Sequence, residues 1–315
     1  MQYRYGDRHA SPPEKLERRL WLARYLDLAG LPPRPDSVDH SVVGMPSGML
    51  GNDSVGDCVE AEAGHAIEVA WWYGLGKAAV QVTANAIIAV YSAITGYVPG
   101  DPSTDQGSNL LDVLGYWRKH PICGAALDGF VAFDPTKPDH WKAVIDLYGV
   151  AFFGAWLPQD VVDALDNGTV IDWTSTKYPV THDAGHGIDA VGYDATGVKV
   201  STWGGFIHAT WAWLAKYCDE TYAPLMKDWA SGKEPGGFNE AQLQADLAIV
   251  SGGGIIPVDP PVTPPVDPPV TPPVTPPKPN PSVLAEIVAD VKVAAEEIAH
   301  AAKRIADALE RLAGL

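Results

Sequence analysis

The chain is poor in positive charge: 22 Lys and Arg stand against 39 Asp and Glu in 315 residues, a formal net charge of -17. No basic cluster interrupts that excess, so the surface repels phosphate backbones and nucleic acid is not an expected partner. Cysteine is scarce as well. Cys58, Cys123 and Cys218 are an odd number at wide spacing, which matches neither a disulfide framework nor a Cys-x-x-Cys zinc site, and they are expected to be free thiols. No uncharged run of about 20 apolar residues occurs, so no membrane span is expected. Residues 1–19 are charged and lack the apolar stretch of a signal peptide, and the chain is expected to be soluble without a cleaved targeting segment. Material for a core is plentiful: 46% of the side chains are hydrophobic and 9% aromatic, over a length suited to one or two domains.

Proline is abundant in one place only. Thirteen of the 28 prolines lie in residues 257–281, where V-D-P-P and V-T-P-P tetrapeptides repeat from Val258 to Pro277. Such a run lacks most backbone donors and fixes φ, which predicts an extended polyproline II spacer; 25 residues at about 3.1 Å each span about 78 Å. Asn280 then offers an N-cap with Pro281 at the first helical position. Leu284, Val291, Ile298, Ile305 and Leu312 recur every seven residues, and Ala294, Ala301 and Ala308 follow three residues after the inner members. This is a heptad seam, expected to self-associate or to dock on another chain.

Four segments follow: an N-terminal helical extension (1–40), a mixed domain (41–250), the proline-rich spacer (251–281) and a C-terminal oligomerisation or docking helix (282–315). In the extension, Ser11-Pro12-Pro13-Glu14 reads as a capping box, with Leu16, Leu20, Ala23 and Leu26 on one face of a helix ending near Gly30. Further helices are expected from Cys58, over residues 84–94 and over 109–119. Strands are expected over 150–156, 186–193 and 198–203, the last two joined by a tight turn at Asp194-Ala195-Thr196-Gly197. Helices first and strands later predict an α+β domain.

Within that domain, Gly56-Asp57-Cys58-Val59-Glu60 places a thiol at a helix N-terminus, with Asp57 as N-cap and Glu60 three residues on. Exposed N–H groups and the helix dipole favour a thiolate there, whereas the two acids oppose it. A thiol nucleophile needs a base, and His186 opens a strand 128 residues later. Taken alone, Cys58 also reads as a small buried residue and His186 as a hydrogen-bonded strand histidine.

Asn52-Asp53-Ser54-Val55-Gly56-Asp57-Cys58 resembles the papain-like pattern Q-x-x-x-x-x-C. His186-Gly187-Ile188-Asp189-Ala190-Val191-Gly192-Tyr193 resembles that family's H-A-V-x-x-V-G-Y strand, and Ser201-Thr202-Trp203-Gly204 its N-S-W-G. The order and separations agree, and the G-N-D opening is similar to papain-like proteins encoded by bacteriophages of actinobacteria. The resemblance implies a papain-like domain, helical part first and antiparallel part second. It implies Cys58 as nucleophile, His186 as general base and then acid, and Asn52 with the Cys58 N–H as oxyanion hole. Trp203 would shield the histidine's partner and, with Gly56, border the substrate. Ser201 stands where the family has the asparagine that orients the imidazole, Val59 replaces the usual aromatic, and Val55 replaces the first cysteine of C-G-S-C-W. The implied substrate is a peptide or isopeptide bond, of a peptide or of a peptidoglycan-type polymer, and the implied location a virion surface or tail. The alternative is a catalytically impaired module of the same fold that serves decoration or binding.

No metal and no cofactor are implied. His182 and His186 are four apart, but the glycines between and after them are unsuited to a helix, and no H-E-x-x-H is formed. His65 shares a helix face with Cys58 and reads as a packed or exposed histidine. Trp71, Trp72, Tyr73, Trp211 and Trp213 read as core rather than as a glycan-binding stripe.

The C-terminal helix, rather than the globular domain, is expected to set the assembly state. Five large apolar side chains left in water forgo about 1.5–3 kcal/mol each of available burial. Light scattering on the full chain should report an oligomer that is lost in residues 1–256; an oligomer that survives the truncation would assign the interface to the domain.

Overall fold

The computed structural model describes residues 20–26, 33–41, 48–75 and 82–226. The spacer, the heptad helix and residues 11–19 of the expected extension lie outside them.

Three helices precede all but the first strand. Helix α1 (Cys58–Leu75) begins where the Asp57 carbonyl accepts the Ala61 N–H at 2.9 Å. From Cys58 to Trp71 almost every side chain is buried, which is the behaviour of a helix apolar on all sides. Its small residues Ala61, Ala63, Gly64, Ala66 and Ala70 let neighbours come close. Helix α2 (Ala84–Thr95) starts at Thr83, whose side chain accepts the Ala86 N–H, and stops at Gly96 in the left-handed conformation. Helix α3 (Leu110–Lys119) is capped by Asn109, which accepts the N–H groups of Leu111 and Asp112.

The rest is an antiparallel sheet with helices inserted between its strands. In chain order the elements are β1 (Val38–Asp39), β2 (Leu127–Ala132), α4 (Pro138–Tyr148), β3 (Ala151–Trp156), α5 (Gln159–Asp166), β4 (Gly185–Tyr193), β5 (Gly197–Thr202), β6 (Gly205–Thr210), α6 (Trp211–Tyr217) and β7 (Cys218–Met226). The strands order as β2-β7-β3-β4-β5-β6, and β1 pairs with the end of β4 through Val38↔Tyr193 and Asp39↔Gly192. An α+β fold with a helical part and an antiparallel part is therefore what the chain adopts.

Both faces of the sheet are covered. Phe152 and Val191 pack with Val59, Ile67, Leu114 and Trp117 on the side of α1. Phe153, Ile188 and Ala190 pack with Trp141, Trp173 and Trp213 on the other. Successive strand residues point to opposite faces, so β3 and β4 are buried along their whole length.

The segment around residue 20 departs from expectation. Trp21 forms a β-bridge to Ala132, and Leu22–Arg24 make a single 3-10 turn instead of an α-helix. Leu20 and Leu26 are buried as expected, but so are Leu22 and Tyr25, while Ala23 is exposed. Pairing with the β2 edge overrides the helical pattern here. The aromatic residues also divide: Trp71 and Trp213 are core, whereas Trp72 and Tyr73 are exposed.

One close approach fixes the domain's centre. A Cβ on Gly187 of β4 would stand 2.8 Å from Val59 Cγ2 and 3.3 Å from Val59 Cα of α1. Gly187→Ala should therefore destabilise the fold by about 1–3 kcal/mol through overpacking. Val59→Ala in the same chain should recover part of the loss, and a double-mutant cycle in urea measures the coupling. Additive losses would mean that the two backbones are not in contact.

Candidate active site

Cys58 is the first residue of α1 and His186 the second residue of β4, and both are fully buried. The touching pair Val59 and Gly187 immediately follows them in the chain, so the fold brings the thiol-bearing turn and the imidazole-bearing strand together.

The imidazole is held from two sides. His186 Nε2 lies 2.8 Å from Thr202 Oγ1, and the ring stacks on Trp203 with centroids 4.2 Å apart and planes within 7°. Trp203 is backed by Trp173 at 6.3 Å, edge to face, and Trp173 stacks on Trp213 at 4.4 Å. Trp203 has φ +46, a left-handed conformation that costs a non-glycine residue about 1–2 kcal/mol. It is what turns the indole onto the imidazole.

The hydroxyl on His186 is thus that of Thr202, and the expectation that Ser201 partners the histidine is corrected. The pleat gives the reason. Ser201 is paired with Asp189, on the same face as Gly187 and therefore toward α1, while Thr202 points to the opposite face with His186.

Asn52 is buried in the loop before α1, where its Nδ2 donates to the Val55 carbonyl at 3.3 Å. Its amide also faces the Asp57 carboxyl, so it is turned into its own loop. The Gly56 N–H is directed at the Asp105 carboxylate, 3.0 and 3.2 Å from its two oxygens. Asp105 in turn accepts from Tyr91 Oη at 2.8 Å, and Tyr91 accepts the Gly107 N–H at 2.8 Å. Ser108 Oγ donates to Glu60 Oε2 at 2.9 Å. This acidic network, which the sequence did not reveal, fastens the loop around residue 105 to the start of α1.

Asp57 occupies the flank of that helix with its carboxyl packed on the Gly51 backbone; a Cβ on Gly51 would be 2.5 Å from Oδ2. Burial, then the charges of Glu60 and Asp105, push its pKa up to about 9. The carboxyl beside Cys58 is therefore neutral at pH 7 and does not oppose a thiolate there.

His182 packs against the Trp156 ring at 4.7 Å, away from any shared ligand position with His186. Among the described residues no group of three or more His, Cys, Asp or Glu side chains is placed to hold a metal ion, and no helix is long and apolar enough to cross a membrane.

Neither a protein-family model nor a curated protein sequence matches the chain. Solved structures do. Xylellain, a cysteine protease from Xylella fastidiosa, is similar over 71% of this chain and 97% of its own, with 13% identity and a TM-score of 0.54. The proform of Amb a 11, a ragweed pollen cysteine protease, is similar over 71% and 76%, with 18% identity and a TM-score of 0.50.

The state of Asp57 has a measurable consequence. Folded Asp57 keeps its proton to about pH 9, whereas an unperturbed carboxyl loses it near 3.8. Between these values the folded state binds one more proton, so this group's contribution is greatest below the lower value and falls as pH rises. Asp57→Asn removes that slope, and the variant should gain on the wild type in urea denaturation between about pH 5 and about pH 8. A constant difference across that range would show that Asp57 ionises as an ordinary carboxyl. On these grounds the chain shares the fold of the papain-like cysteine proteases.

Proposed function

We propose that the protein is a thiol-dependent hydrolase of peptide or isopeptide bonds, with Cys58 as nucleophile and His186 as its base. The observation that carries the reading is the His186 ring, bonded at Nε2 to Thr202 and stacked on Trp203, on the strand whose Gly187 packs against Val59, the residue after Cys58. With Nε2–H donating to the hydroxyl, Nδ1 is the nitrogen that takes the thiol proton. The thiolate attacks the carbonyl carbon, and the resulting oxyanion is met by the Cys58 N–H and by Asn52 once its amide turns from Val55 or Asp57. Collapse breaks the C–N bond, and the amine leaves with the proton from His186. A water deprotonated by His186 then splits the thioester, releasing the acid and restoring the thiol. Gly56 and Trp203 border the substrate in this reading. Its substrate would be a peptide or a peptidoglycan-type polymer.

A second reading draws on the full burial of Cys58 and His186 and on the inward-turned Asn52 amide: a catalytically impaired module used for binding or decoration. In both readings the proline-rich spacer displays the domain and the heptad helix joins it to copies of itself or to another virion protein, at a virion surface or tail. The phage-like G-N-D opening and this modular layout support that location.

Thiol reactivity separates the two. Mass mapping after brief iodoacetamide treatment should find Cys58 modified faster than Cys218 and faster than Cys123, whose thiol is held above its usual pKa by burial and by Glu68. His186→Ala should slow Cys58 by about 100-fold and Thr202→Val by about tenfold, within the range of general-base effects, while Ser201→Ala leaves it unchanged. Equal rates for all three thiols would leave the binding module.

A further inference from the structure

Cys58, Glu62 and His65 lie on one face of α1, at helical spacings of four and seven. Glu62 and His65 are almost completely buried, and His65 has an acceptor at each ring nitrogen. Nδ1 is 3.1 Å from Glu62 Oε2 and Nε2 is 3.1 Å from the Gly48 carbonyl oxygen. A carbonyl only accepts, so Nε2 carries a proton, and a second proton lies between Nδ1 and the Glu62 carboxyl, whose own pKa burial raises. Burial works against the cation, but the charge and hydrogen bond of Glu62, the charge of Glu68 and the Gly48 carbonyl together raise the His65 pKa above its ordinary value.

Glu62 also faces the backbone of Asp189 on β4. Asp189 is fully buried, and burial followed by the Glu62 charge holds its carboxyl well above the usual range. The groups facing the pair are thus Glu68 from α1, Asp189 from β4 and the Gly48 carbonyl from the loop.

Each element tied together here carries a residue of the candidate site. Helix α1 begins at Cys58, and β4 holds His186 three residues before Asp189. Gly48 lies four residues before Asn52 and abuts Gly204, where a Cβ would stand 3.1 Å from the Gly48 carbonyl carbon. Gly204 adjoins Trp203, the stacking partner of His186.

We propose that Glu62, His65 and Asp189 are positioning residues, a buried proton-bearing clamp that sets Cys58, His186 and the Asn52 loop in register. This rests on the reading of Cys58 as the reactive thiol. The clamp acts through geometry, since a displacement of about 1 Å in a reacting group can cost about 100-fold in rate. When His65 loses its second proton, either the Gly48 or the Glu62 bond is lost, and the thiol turn loosens from the strand. A side chain of the same shape fills the same space at position 189, so asparagine should replace Asp189.

The test uses the full chain with nitrogen-15-labelled histidine, and iodoacetamide as the thiol probe. The wild-type His65 spectrum at neutral pH should show protons on both ring nitrogens. Glu62→Gln and His65→Gln should each lower the Cys58 alkylation rate by about tenfold and shift its pH profile, with Cys123 unchanged as internal reference. Asp189→Asn should stay within about twofold of wild type where Asp189→Ala falls by about tenfold. A neutral His65 ring at pH 7 overturns the clamp, and because it is read in the wild type it does so even if variants fail to fold. Variants that melt earlier but keep the Cys58 rate and pH profile also overturn it, leaving a purely structural cluster. If wild-type Cys58 reacts no faster than Cys123, the hydrolase reading fails first and the positioning role falls with it, whatever the His65 spectrum shows.

Discussion

The contact on which the site depends is that between the Gly187 backbone and Val59. A helix can lie that close to a central strand only where one partner has no side chain, and the helix's own Ala and Gly residues extend the approach along its length. Because the opposite sheet face is occupied by Trp141, Trp173 and Trp213, β4 cannot move away from α1 without emptying a second core. Cys58 and His186 therefore owe their relative placement to packing on both sides of the strand.

That packing buries acids which the chain must then neutralise. Asp57, Glu60 and Asp105 surround the first turn of α1, and three full charges there would repel strongly in a low dielectric. The helix N-terminus and the Gly56 N–H accommodate part of the charge, Ser108 and Tyr91 add donors, and Asp57 gives up its charge altogether. A similar pressure acts farther along the helix, where burial and the Glu62 charge push the Asp189 carboxyl up beside the Glu62–His65 pair. The acids that seemed to argue against a thiolate at Cys58 are in this way largely disarmed by their surroundings.

Local signals carried much of the fold into the sequence. The caps at Thr83 and Asn109, Gly96 after α2, and the apolar runs of β3 and β4 mark elements whose ends fall within about two residues of those expected. Helix α4 is legible too, with Pro138 at its start and Trp141, Val144, Ile145 and Tyr148 buried along it, although strands surround it. Residues 20–26 were misleading because their partner, the β2 edge, is over a hundred positions away. At the site, the proximity of the Cys58 turn to the His186 strand could be read from motif order, but the identity of the histidine's hydroxyl partner could not. A one-residue change of facing in β5 exchanges Ser201 for Thr202, and pairing register decides that in space. Glu62 and Asp189 were invisible for a similar reason: each looks like an ordinary acid until the helix and strand are docked.

The exchange of an amide for a hydroxyl at His186 changes what else the site must supply. A threonine Oγ1 meets Nε2 at 2.8 Å, and one hydrogen bond does not by itself fix rotation about the Cβ–Cγ bond. The stacked indole of Trp203, nearly coplanar with the ring, opposes that rotation. Holding Trp203 left-handed costs about 1–2 kcal/mol, and the contacts along His186, Trp203, Trp173 and Trp213 return about 0.5–1.5 kcal/mol for each aromatic pair beyond their burial. The strained backbone is thus sustained by the same column that orients the imidazole. The Trp203 indole that helps to orient the ring is anchored in the core behind the sheet.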